Sequence, residues 1–85
     1  MKVCMGTILY EPVNEPALVD FLKSFGYSVE KQDVHLDPNE KGGFASYVVD
    51  VGRTALDLFV NRTQNIYKRF GIERHYATIV PGTEG

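Results

Sequence analysis

The sequence predicts an α+β domain with the element order strand, helix, strand, strand, helix, strand. Three observations carry that reading: two stretches with apolar residues at helical spacing, four stretches rich in β-branched and aromatic residues, and turn residues at the junctions between them. The 85 residues allow one small core, burying roughly 63% of the unfolded surface, and leave no room for a second domain.

Residues 2–10 form an apolar run of β-formers, too brief for a helix, which suits a strand buried on both faces. Leu18, Phe21, Leu22 and Phe25 then recur at the i, i+3, i+4, i+7 spacing of an amphipathic helix, predicted over 15–25. Asn14 stands where a side-chain oxygen caps the N-terminus, and Glu15 suits the positive dipole end. Pro16 falls in the first turn, where a missing N–H costs nothing, and Gly26 offers a left-handed stop.

From Tyr27 to Leu36 the apolar residues alternate at Tyr27 and Val29 and then change phase to Val34 and Leu36. A period-2 pattern that slips by one residue implies a bulge, and the intervening Glu30, Lys31, Gln32 and Asp33 suit an edge strand guarded by charge. The turn-rich segment Asp37 to Gly43 reads as a hairpin connection into an inner strand over 44–51. Thr54 and Asp57 resemble a capping box, followed by Leu56, Phe59, Val60, Thr63, Tyr67 and Phe70 on one helical face, with Gly71 as the stop. Residues 72–80 make a half-polar last strand, and 81–85 a tail expected to fray.

This order is the split βαβ unit of ferredoxin-like folds: a four-stranded antiparallel sheet with the first and third strands inside and both helices on one face. Polarity agrees independently. The inner strands carry one formal charge each, Lys2 and Asp50, whereas the edges carry Glu30, Lys31, Asp33, Glu73 and Arg74.

Composition excludes several functions. Nine Lys and Arg against eleven Asp and Glu give a net charge of −2, without the basic excess of a dedicated nucleic-acid binder. The lone Cys4 forms no intramolecular disulfide, and no apolar run reaches the ~18 residues of a membrane span, so a reduced, cytoplasmic chain with no membrane contact is expected. His35, His75 and Cys4 lack the close-spaced pairs of a structural zinc site. Small metal-transfer domains share the topology, but their Met-x-Cys-x-x-Cys loop has no counterpart here. Acylphosphatases also share it and use an arginine in a glycine-rich loop after the first strand, where this chain has Tyr10-Glu11-Pro12-Val13-Asn14. No nucleophile elbow, phosphate loop or paired-carboxylate pattern occurs, so no enzyme, cofactor or metal is expected. The segment Lys41 to Val48 invites comparison with the signature of RNA-recognition domains, which stack bases on this topology. Its register puts Ser46 where the second stacking aromatic belongs.

What remains is the uncovered side of the sheet. If Tyr47, Val49 and Val51 face the helices, then Phe44, Ser46, Val48 and Asp50 face out, beside either Cys4, Ile8 and Tyr10 or Val3, Met5 and Leu9. A contiguous apolar patch of that kind marks an interaction surface. All four arginines fall within residues 51–85, giving the second helix a basic outer face. The expected function is therefore a non-catalytic binding or regulatory protein, an adaptor or an inhibitor of a larger protein of the kind phages make. Ile8, Phe44 and Val48 would be the apolar anchors, and Arg62, Arg69 and Arg74 the charge contacts to a protein partner. A sheet-to-sheet homodimer is a variant of this reading; the alternative is a domain that binds RNA or single-stranded nucleic acid.

Overall fold

Alternating burial along the inner strands divides the sheet into two sides. In β1 (Lys2–Leu9), Val3, Met5, Thr7 and Leu9 are fully buried; in β3 (Gly43–Asp50), Ala45, Tyr47 and Val49 are. The computed structural model describes residues 1–36 and 42–83. A 3-10 turn (Pro12–Asn14) leads into α1 (Glu15–Ser24), followed by β2 (Ser28–Leu36), β3, α2 (Leu56–Arg69) and β4 (Ile72–Ile79). The sheet order is β2-β3-β1-β4 with every pair antiparallel. This is the ferredoxin-like α+β arrangement, with β1 and β3 inside.

Both helices pack on the same side. Leu18, Val19 and Leu22 of α1 and Phe59, Ile66 and Tyr67 of α2 join Val3, Met5, Leu9, Ala45, Tyr47 and Val49 in one buried cluster. Burying an aliphatic or aromatic side chain of this kind contributes about 1.5–3 kcal/mol, so this layer is what holds the sheet together. Phe25, expected on the core face of α1, ends the helix instead. It is 37% exposed, and packs edge-on against Phe21 at 5.1 Å and beside Tyr27 at 5.5 Å.

The helix caps differ from expectation because better partners compete for their side chains. Asn14 donates its amide to the Phe70 carbonyl at 2.8 Å, tying the start of α1 to the end of α2 rather than capping its own helix. Thr54 receives a hydrogen bond from the Tyr27 hydroxyl at 3.2 Å, so Ala55 is the cap residue of α2 and no capping box forms.

Each edge strand carries one bulge. Between Lys31 and Asp33 the β2–β3 register shifts, leaving Gln32 as the extra residue; between Gly6 and Thr7 the β1–β4 register shifts, leaving His75. Of the hairpin connection expected over 37–43, residues 37–41 lie outside the described residues, as do 84 and 85, and Gly43 already belongs to β3. Residues 80–83 are held to the first strand: Val80 N–H donates to the Lys2 carbonyl at 2.9 Å and Lys2 N–H to the Thr83 hydroxyl at 3.0 Å.

Candidate functional site

Register places the residues of the uncovered side in four rows running across β2, β3, β1 and β4. The first row is Ser28, Asp50, Lys2; the second is Glu30, Val48, Cys4, Thr78. The third is Asp33, Ser46, Gly6, Tyr76, and the fourth is His35, Phe44, Ile8, Glu73. Of the two sets left open for the first strand, Cys4 and Ile8 are the outward one. Tyr10 lies beyond β1, 56% exposed, and donates its hydroxyl to Glu73 at 2.7 Å.

The third row is where both bulges fall. On one edge Gln32 turns onto the open side, where its side-chain oxygen accepts from Ser46 Oγ at 3.1 Å and Cys4 Sγ at 3.4 Å. With its proton committed to Gln32, Ser46 accepts from the Tyr76 hydroxyl at 3.2 Å. On the other edge His75 meets Tyr76 at 5.8 Å and Phe44 at 6.3 Å between ring centres, both edge-to-face. The Tyr76 ring crosses the sheet directly over Gly6, so closely that a Cβ at Gly6 would overlap it. Glycine is required there for space, because the ring occupies the volume a side chain would fill.

The centre of the face is therefore a fixed polar chain roofed by one aromatic ring. Phe44 and Ile8 are neighbours in the fourth row, and the Ser46–Gly6 row, with the Tyr76 ring over it, lies between them and Val48. All three anchors are only partly exposed. Among the described residues of these rows, Glu30, Asp33, Asp50 and Glu73 stand against a single Lys2. Asp33 pairs with His35 at 2.8 Å. Glu73, by its hydrogen bond first and then its charge, raises the Tyr10 hydroxyl above its ordinary value.

The three arginines expected as charge contacts lie elsewhere. Arg62 donates to the Tyr27 hydroxyl at 2.9 Å and lies over the Phe25 ring at 5.3 Å; Arg69 lies over Phe70 at 5.6 Å. Arg74 pairs in register with buried Thr7, which puts it on the helix side of the sheet. The six expected residues thus divide into an acidic-rimmed open side and a basic helix side. Gln32, Tyr76 and the carboxylate rim were not picked out from the sequence. The phase slip flagged the Gln32 bulge; in β4, Ile72 and Ile79 are seven residues apart yet both face the core, a spacing that also demands one extra residue.

Two other features bear on function. A groove of about 420 Å³ between α1 and α2 is lined by Ala17, Phe21, Ile66 and Phe70, with Asp20 on one wall and Arg69 on the other, so it favours neither charge in an occupant. Beneath α1, Glu15 is buried and accepts from the Tyr47 hydroxyl at 2.7 Å while pairing with Lys31 at 3.1 Å. Burial, then the hydrogen bond to Glu15, then its charge push the Tyr47 hydroxyl well above its ordinary range, which holds it as a proton donor to Glu15.

Among the described residues no group of three or more His, Cys, Asp or Glu is arranged to hold a metal ion, and no helix is long and apolar enough to cross a membrane. No protein-family model matches the chain, and no curated protein matches it.

Proposed function

We propose that the chain is a non-catalytic docking module that binds a protein partner through the open side of its sheet, as an adaptor or an inhibitor of a larger protein would. The observation that carries this reading is the coincidence of the two bulges. Opposite edges each insert one residue at the same row, and both inserted side chains, Gln32 and His75, turn onto the same uncovered surface. Bulges re-aim side chains and concentrate beside functional sites. Here they assemble a rigid centre with Phe44, Ile8 and Val48 around it.

Charge and geometry favour this surface over α2, because Arg62 and Arg69 already lie over aromatic rings of the same chain. Charge also favours protein over nucleic acid: among the described residues of the open side, four carboxylates against one lysine repel a phosphate backbone, whatever the stacking capacity of Phe44 and Tyr76. The free Cys4 thiol accords with a reducing, cytoplasmic setting.

Affinity capture from cell lysate with the native chain, Phe44→Asp and Arg69→Ala, each checked for native near-UV circular dichroism, tests the proposal. Proteins retained by native and Arg69→Ala and lost by Phe44→Asp support it. Retention that survives Phe44→Asp, or capture of nucleic acid alone, overturns it.

A further inference from the structure

We infer that the partner presents an arginine-bearing segment whose guanidinium seats on the Tyr76 ring; this rests on the docking role proposed above and names the chemistry recognised there. Tyr76 is prepared as a platform. Its ring is backed by Gly6, where no side chain intervenes, and its hydroxyl is pinned to Ser46, which Gln32 pins in turn. A ring held in that way has already lost its rotamer freedom, so little further ordering opposes binding.

The charge around the ring selects a cation. Asp33, which His35 also meets, lies across the same row; Glu73, which accepts from Tyr10, lies in the row adjoining it on one side and Glu30 in the row adjoining it on the other, with no lysine or arginine in these three rows. A planar guanidinium stacks on an aromatic face and leaves its N–H edge free for a bidentate carboxylate bond. An ammonium is more strongly hydrated and makes neither contact as well. The chain uses the same stacking internally, with Arg62 over Phe25 and Arg69 over Phe70. An aromatic ring whose own and adjoining rows carry Asp33, Glu73 and Glu30 therefore fits arginine better than lysine, and disfavours an acidic segment. A second copy offering its own open side is disfavoured, since equal carboxylate rims would meet.

Two-dimensional NMR titration of the native chain with an arginine-rich peptide, its lysine counterpart and an acidic control reads this directly. Shifts centred on Ser46, Tyr76 and Gly6 for the arginine peptide are expected, with affinity about fivefold or more above the lysine peptide and none for the acidic control. Tyr76→Leu should erase the arginine preference and Tyr76→Phe should keep it. Asp33→Asn, which leaves the ring in place, should weaken both basic peptides. Equal affinity for the two basic peptides, shifts confined to α2, or a preference that survives Tyr76→Leu would overturn the inference. If the arginine peptide fails to bind while Phe44→Asp still abolishes capture, the arginine assignment falls and the docking surface stands; if both experiments are negative, both fall.

Discussion

Glu15 is the only charged residue buried among the described residues, at 5% exposure, and a carboxylate is tolerated there because the Tyr47 hydroxyl and Lys31 ammonium both meet it. Its place as the first residue of α1 adds the favourable end of the helix dipole. Tyr47→Phe leaves that carboxylate with Lys31 alone and should cost about 1–3 kcal/mol in a denaturant titration. The same pair sets a pH dependence. The folded-state pKa of Tyr47 is raised above its ordinary value of 10.0, so its contribution is complete below that pH and is lost as pH rises past it. Burial raises Tyr67 in the same direction. Stability should therefore stay level in this respect through pH 9 and fall above about 10, less steeply in Tyr47→Phe than in the native chain. Thr7 is the opposite case: it is fully buried and its hydroxyl has no partner among the described residues. Thr7→Val keeps the shape and removes an unpaired polar group, so it should raise the melting temperature, by the equivalent of roughly 1 kcal/mol.

At the scale of elements, the bulge in β2 is a removable device. Val29, Lys31, Val34 and Leu36 all pair with core-facing positions of β3, and only Gln32 interrupts their alternation. Deleting Gln32 should keep the fold, regularise the β2–β3 ladder, and break the links to Ser46 and Cys4. The straightened edge should also aggregate faster in light scattering, since bulges are one way a sheet edge avoids pairing with another chain. This bulge was legible in the sequence because its edge strand carries apolar residues on both sides of the slip. The one in β4 was harder to see, since Arg74 holds the core-facing position between Ile72 and Ala77. Helix positions and strand order followed from periodicity and polarity. The caps did not, because Asn14 and Thr54 are claimed by Phe70 and Tyr27, residues distant in sequence. The candidate site was half legible: alternation put Phe44 and Val48 on one side but left two sets open for the first strand, which register resolves to that of Ile8, and Tyr76 gains its role only from lying over Gly6, a contact between two strands that no local pattern encodes.

At the scale of the whole molecule, the described residues are electrically two-sided. The open face carries Glu30, Asp33, Asp50 and Glu73, whereas Arg62, Arg69 and Arg74 belong to the helical side. Self-association face to face is opposed, and the chain should run as a monomer in light scattering at moderate salt. A dimer that appears at low salt and dissociates as salt rises would instead mean the acidic face of one copy engaging the arginine side of another.

Both ends of the described chain are stitched to the same corner: the Met1 ammonium donates to the Gly52 carbonyl at 2.9 Å, and Thr83 clasps Lys2 beside it. That corner lies at the opposite end of the strands from Phe44 and Ile8. A tether, a surface anchor or a fluorescent fusion attached at either end would therefore leave the far end of the sheet clear. Tandem copies joined through that corner would offer their contact surfaces independently, so avidity could be engineered by linker length alone.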